Sequence, residues 1–107
     1  MYTKKVNNGY FATTVTYDKR LKYCPYGSCG VVELYDGTIR LVSYTTVVCE
    51  LTVDGWLTCT GTYSATTRKH IGAFMREYGR GLGYESAKQC YINNYRFNLI
   101  SGEIQPL

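Results

Sequence analysis

The sequence VVELYDGTIRLVSY, residues 31–44 of this 107-residue chain, decides the fold class. Two runs rich in β-branched and apolar residues flank Asp36-Gly37, and an Asp-Gly pair between such runs is a strong signal for a β-hairpin. A two-residue loop would give the cross-strand pairs Leu34 with Ile39, Glu33 with Arg40, and Val32 with Leu41. Apolar side chains then meet on one face and opposite charges on the other. We therefore predict an antiparallel hairpin in this register.

A second Asp-Gly pair follows in TVVCELTVDGWLTCT, residues 46–60. A two-residue loop would pair apolar with polar residues across the two strands, so neither face of the hairpin would be apolar. A three-residue loop keeps one face apolar and gives the pairs Leu51 with Leu57 and Cys49 with Cys59. We predict the longer loop, with Gly55 in the left-handed region and a glycine bulge. The two paired cysteines are then core thiols in contact rather than a disulfide.

From residue 64 onward the hydrophobic period changes from 2 to 3.6. Ser64 is a suitable N-cap for a helix over 65–78, and Gly79 stands where a helix C-terminus favours a positive φ. The inward stripe of this main helix consists of Ile71, Phe74, Met75 and Tyr78. A shorter helix is predicted over 84–94, with inward residues Ala87, Cys90 and Tyr91. We expect the tail to close as a strand pair around Ser101-Gly102.

These elements together predict an α+β fold: a meander of antiparallel hairpins packed against one main helix and a shorter second helix. A chain of this length makes one domain, because a second would be too small to close its own core. The single domain 1–107 divides into an N-terminal extension over 1–30 with one strand at 10–17, the hairpins over 31–62, helices over 64–94 and a tail over 95–107.

Composition excludes several classes of protein. With 45% apolar and 19% charged residues, the bulk of the chain is not disordered. No apolar run approaches the ~20 residues of a membrane span. No hydrophobic block follows the first lysines, so we expect no secretory signal and a cytoplasmic protein. The twelve tyrosines fit half-buried strands, or alternatively a contact face for a partner.

The five cysteines and the single histidine bear on metal binding and catalysis. An odd cysteine count without a secretory signal predicts free thiols in a reducing compartment. Cys24 and Cys29 could close a short loop or supply two metal ligands, but zinc would require tighter spacing and a second pair. We therefore expect structural thiols, no metal and no cofactor. His70 is expected on a helix flank without a third catalytic group, so we predict no enzymatic activity.

Charge is uneven along the chain, with basic ends at net +4 (1–22) and +3 (64–107) around an acidic middle at net −3. Arg68 and Lys69 lie near a helix N-terminus, where the macrodipole disfavours cations. Gly72 lowers helix propensity by about 1 kcal/mol relative to Ala. Because glycine has no side chain, we expect that it permits another group to approach the helix closely. The helix face that carries these residues has two interpretations. It is a surface that contacts phosphate groups or an acidic protein, or it is an ordinary solvated surface. The candidate partner-binding residues are Arg68, Lys69, Arg76 and Arg80.

LVSYTT (residues 41–46) and YSATTRKHI (residues 63–71), with Phe74, resemble a family of small uncharacterised proteins from bacteriophages and mobile elements of bacteria. The resemblance covers roughly residues 31–78 and implies an accessory protein of a phage or mobile element. Within that context we expect a non-enzymatic, anti-CRISPR-like inhibitor that binds a host defence protein or ribonucleoprotein complex in the host cytoplasm. The alternative is a regulator that binds nucleic acid through its basic and tyrosine-rich surface.

Overall fold

The computed structural model describes residues 21–24, 29–44, 46–60 and 64–107. The strand expected at residues 10–17 lies outside these ranges. The described part contains β1 (Cys29–Glu33), β2 (Ile39–Ser43), β3 (Thr46–Leu51), β4 (Trp56–Cys59), α1 (Ala65–Tyr78), α2 (Tyr84–Ile92), β5 (Tyr95–Asn98) and β6 (Ile104–Pro106). Neither of the two described helices is long and apolar enough to cross a bilayer.

The six strands form one sheet in the order β1-β2-β3-β4-β5-β6, and every neighbouring pair is antiparallel. Helix α1 packs against α2 and β2, while α2 packs against β4 and β5. The predicted α+β architecture is therefore confirmed, including the shorter second helix and the closing strand pair of the tail.

The main core lies between the sheet and the two helices. Strand residues Val31, Leu41 and Leu57 are completely buried there, and α1 contributes its predicted stripe. Ile71, Phe74 and Met75 of that stripe are 0–1% exposed, whereas Tyr78 is half-buried and packs its ring 5.2 Å from that of Phe74. Burial of these large side chains fixes α1 across the sheet.

The predicted register of the first hairpin is wrong by one residue. The observed pairs are Val31 with Leu41, Val32 with Arg40, and Glu33 with Ile39. The loop has three residues, because the Leu34 amide donates to the Thr38 carbonyl at 2.8 Å and Gly37 adopts a φ of 89°. The Asp36 carboxylate accepts from the Thr38 amide at 2.9 Å, which stabilises this loop and lowers the pKa of Asp36.

The second hairpin has the predicted register. Leu51 pairs with Leu57 and Cys49 with Cys59, and Gly55 adopts a φ of 101° at the end of the three-residue loop. The Sγ atoms of the two paired cysteines lie 3.1 Å apart as free thiols.

The ends of α1 follow different rules. Ser64 is the N-cap as predicted, since its Oγ accepts from the Thr67 amide at 3.1 Å. The positive φ expected at Gly79 is wrong: its φ is −78°, and Arg80 takes the left-handed conformation instead. Gly79 is required for space, because a Cβ there would collide with the carbonyl oxygens of Met75 and Leu82.

Candidate functional site

The outer face of α1 carries Arg68, Lys69, Gly72 and Arg76, and we call it the cationic face. The three charged side chains are exposed, and helical spacing places them around the glycine. Arg80 is exposed in the turn just beyond the helix, with a φ of 53°. The structure thus brings three of the four predicted contact residues together on one helix face and places the fourth beyond its end.

Nothing in the described ranges of the chain requires a glycine at position 72. A Cβ built there meets nothing within 4 Å, unlike the one at Gly79. Its backbone is ordinary α-helix, so no left-handed conformation is needed either. The close approach that the sequence suggested at this position is therefore not made by the described parts of the chain.

The segment over residues 21–24 is attached to the last turns of α1. The Lys22 amide donates to Glu77 Oε1 at 2.7 Å, and the Arg76 guanidinium lies 4.4 Å from the centre of the Tyr23 ring. Tyr23 keeps 38% of its surface exposed. An aromatic ring stacked on a cation thus borders the cationic face.

A second feature lies on the inner side of α1. Donor atoms of Cys24, Cys29 and His70 all lie within 4.8 Å of one another, and we call this group the thiol–imidazole cluster. Cys29 begins β1 and is buried, and Cys24 is half-buried. The expectation that His70 lies on a helix flank is wrong: it is 0% exposed, and desolvation lowers its pKa. The Tyr44 ring lies 5.6 Å from the imidazole.

A chain of hydroxyl groups orients the imidazole. Ser43 Oγ lies 2.8 Å from His70 Nδ1 and 3.1 Å from Thr67 Oγ1, which also accepts from Ser64 Oγ at 3.2 Å. Ser43 and Thr67 are each 2% exposed, so these contacts satisfy hydroxyls that burial would otherwise penalise. The chain runs from the helix N-cap to the cluster.

Sequence reasoning missed this inner network. Ser64, Thr67 and His70 belong to the YSATTRKHI segment, yet the argument from charge favoured its outer residues. The spacing of Ser64, Thr67 and His70 could have indicated the network. Polar residues at intervals of three lie on one side of a helix, and here that side also carries Phe74.

The structure records a disulfide between Cys24 and Cys29 and free thiols at the other three cysteines. The expectation of five reduced cysteines is therefore wrong for this pair and confirmed for the rest. The physical reason is proximity: the 21–24 segment is held on α1, which brings Cys24 to the start of β1.

The remaining thiols lie in the core. Hydrogen bonding with Cys49 and burial raise the pKa of Cys59, and hydrogen bonding with Cys59 and burial raise that of Cys90. Since the thiolate is the reactive form of cysteine, the raised pKa values disfavour reaction at Cys59 and Cys90. All three thiols pack within the main core.

No curated protein and no solved structure matches the chain. A family model does: residues 5–90 match DUF8033, a family of unknown function. The match spans β1 to β4, all of α1 and most of α2, including both the cationic face and the thiol–imidazole cluster. The chain belongs to this family of unknown function.

Proposed function

We propose that the protein is a non-enzymatic binding domain whose cationic face docks on an anionic surface of a host macromolecule. In this proposal the chain is an accessory protein of a phage or mobile element. It acts in the host cytoplasm and blocks a defence protein or ribonucleoprotein complex, as anti-CRISPR-like inhibitors do. The observation that carries the proposal is Gly72, which stands among three exposed cations and whose Cβ position meets nothing within 4 Å in the part of the chain that the structure describes.

Two features of the cationic face oppose the stability of α1. A glycine in an exposed helix interior costs about 1 kcal/mol relative to alanine. Arg68 and Lys69 lie in the first turns, where the helix dipole disfavours positive charge by a few tenths of a kcal/mol. The first turn of α1 contains no acidic residue to offset this. A bound anionic partner would compensate both features, because it gains from the cations and from the closer approach to them that a position without a side chain allows.

The chemistry of the face favours carboxylate or phosphate groups. Arginine presents a planar fork of donors that binds either group through two hydrogen bonds. The missing side chain at Gly72 would let such a group approach the helix between Arg68 and Arg76. Tyr23, stacked on Arg76 at 4.4 Å, restrains that guanidinium and adds apolar contact area at the edge of the face.

The test is charge reversal on the face, with a matched reversal elsewhere. Arg68→Glu with Lys69→Glu should leave the melting temperature equal or slightly higher, since acidic residues suit that helix end. Lys88→Glu on α2 is the control. We expect wild type and Lys88→Glu to retain the same partner from a lysate of the bacterial host, and the double variant to lose it. Calorimetry with the purified partner then measures the change in affinity.

Retention of that partner by the double variant, with unchanged affinity, would contradict the proposal and make the face ordinary solvated surface. Arg76→Glu and Arg80→Glu extend the test to the other end of α1. Each should weaken binding without a large loss of stability, because both side chains are exposed.

Nucleic-acid binding is a second candidate, favoured by the exposed tyrosines. Tyr35 is fully exposed at the tip of the first hairpin, and Tyr44 keeps 48% of its surface exposed. Aromatic rings of this kind stack on unpaired bases, and the cationic face would neutralise phosphates. Titration of single-stranded DNA at several salt concentrations separates the two candidates, because phosphate contacts give a steep dependence of affinity on salt.

A further inference from the structure

We propose that Cys24, Cys29 and His70, with the two cysteines reduced, bind one Zn²⁺ ion, and that each thiol releases its proton to solvent as its thiolate ligates the metal. The ligand set is two thiolates and one imidazole nitrogen, drawn from three separate elements: the 21–24 segment, the start of β1 and the middle of α1. This site departs from our expectation of no metal, which rested on the spacing of the cysteines alone.

The geometry of the donors suits one ion. Zinc binds sulfur at about 2.3 Å and nitrogen at about 2.0 Å in a tetrahedral arrangement, so its ligands lie roughly 3.5–4 Å apart. The three donor atoms here already lie within 4.8 Å of one another. The Cα atoms of Cys24 and Cys29 are 7.1 Å apart, a separation at which the two reduced side chains can turn their sulfurs to either side of an ion. Small side-chain rotations complete the site.

The surroundings of His70 match those of a metal-bound histidine. Such a residue uses one ring nitrogen for the metal, while an oxygen atom holds the other and fixes the ring. Ser43 Oγ takes the second role at 2.8 Å from Nδ1, and Thr67 holds the serine in turn. The proposal therefore assigns Nε2 to the zinc. His70 is 0% exposed, and burial disfavours the charged imidazolium, which has both nitrogens protonated and cannot ligate.

The chemistry of the ligands selects the metal. Thiolate with imidazole is a soft to borderline set, which suits zinc and disfavours Mg²⁺ and Ca²⁺, which prefer oxygen. Three ligands come from the described residues, and a solvent molecule completes the tetrahedron. Sulfurs bonded to each other are not thiolate ligands, so the disulfide and the zinc site are alternative states of the same two cysteines.

The consequence for the fold is a metal clamp on the 21–24 segment. Zinc would tie Cys24 to β1 and α1 and thereby hold Tyr23 beneath Arg76. This explains why a buried polar network ends at this point of the core. A buried imidazole and two buried hydroxyls need hydrogen-bond partners, and an apolar replacement would serve stability equally well.

The test uses the full chain, reduced with a phosphine under anaerobic conditions and titrated with Zn²⁺ and, separately, Co²⁺. We expect one ion per chain, a higher melting temperature with zinc, and a cobalt spectrum with tetrahedral bands and thiolate charge transfer. Cys24→Ser should abolish tight binding, and its half-buried position makes the change tolerable for folding. Cys49→Ala is the matched control and should keep the ion, because its thiol lies outside the cluster.

Ser43→Ala provides a second variant that keeps all three ligands. It should lower zinc affinity by about 10–100-fold through loss of the imidazole's orientation. Failure of the reduced, folded wild type to bind zinc would overturn the proposal. So would binding that survives Cys24→Ser, or binding that Cys49→Ala removes, since either result places the ion elsewhere. A reduced chain that folds only when zinc is added would support it.

Discussion

Replacing Gly72, the residue at the centre of the cationic face, with alanine tests the proposal that this face binds a partner. The substitution adds one methyl group to a half-buried position in the interior of α1 and changes no charge. A Cβ at this position meets nothing within 4 Å among the residues that the structure describes, so that part of the fold accommodates it without displacement. The helical backbone is one that alanine prefers, and the unfolded chain loses conformational freedom.

The expected gain in the free energy of unfolding is about 0.4–1 kcal/mol, the range for Gly→Ala at an unstrained helical position. For a domain of roughly this size, each kcal/mol raises the melting temperature by roughly 4–8 °C. We therefore expect a rise of a few degrees. If a partner approaches the helix here, the same methyl group lowers its affinity, so stability and binding change in opposite directions.

Thermal unfolding followed by circular dichroism measures the first effect, with Gly79→Ala as the matched control. Gly79 lies on the same helix, but its Cβ would collide with the carbonyl oxygens of Met75 and Leu82, so this variant should melt at a lower temperature. A Gly72→Ala protein that is less stable than wild type would refute the reasoning. It would mean that part of the chain packs against this face and that the glycine serves the fold.

Three further predictions concern the core, the sheet and pH. Phe74→Ala should lower the free energy of unfolding by roughly 3–5 kcal/mol, measured by denaturant titration, because the ring is 0% exposed. A double-mutant cycle on Arg40 and Glu50 should give a coupling of only about 0.2–1 kcal/mol, since their 2.7 Å ion pair is solvent-exposed. Burial and the Tyr91 hydrogen bond raise the pKa of Tyr84 from 10.0 to about 12. That contribution to stability is full below pH 10 and is lost as the pH rises through about 12, so unfolding measured over this window should show a slope that Tyr91→Phe reduces.

The sequence was sufficient for the order and type of the described elements because each one has a local signal. Asp-Gly pairs marked both hairpins, Ser64 marked the start of α1, and the change of period marked the helices. The register of the first hairpin was not decidable locally. Val31 and Val32 are adjacent and both apolar, so either can be assigned to the core-facing side. In the folded chain Val31 is buried opposite Leu41, on the side of the sheet where α1 packs against β2.

The two candidate sites differ in the same respect: one depends on a local sequence pattern and the other on tertiary packing. The cationic face depends on spacing within one helix, so three of its residues could be placed from the sequence. The thiol–imidazole cluster depends on tertiary contacts between segments that are far apart along the chain. Cys29 and His70 are brought together by the packing of α1 on the sheet, and no local pattern carries that information. Spacing rules for metal ligands use fixed intervals along the chain, and His70 stands at none of these intervals from Cys24 and Cys29.

The two proposals give a single physical account of the segment YSATTRKHI, in which each side of one helix turn meets a different ligand. Its inner residues Thr67 and His70 are buried and polar, which stabilises a core poorly, and its outer residues Arg68 and Lys69 oppose the helix dipole. Selection for stability alone would replace both sets. A metal on the inside and an anionic partner on the outside would retain them. The two sides also communicate through Tyr23, because a zinc-held Cys24 restrains the ring that stacks on Arg76. Partner affinity in the reduced protein should therefore fall when zinc is chelated, whereas the charge-reversed face should leave zinc affinity unchanged.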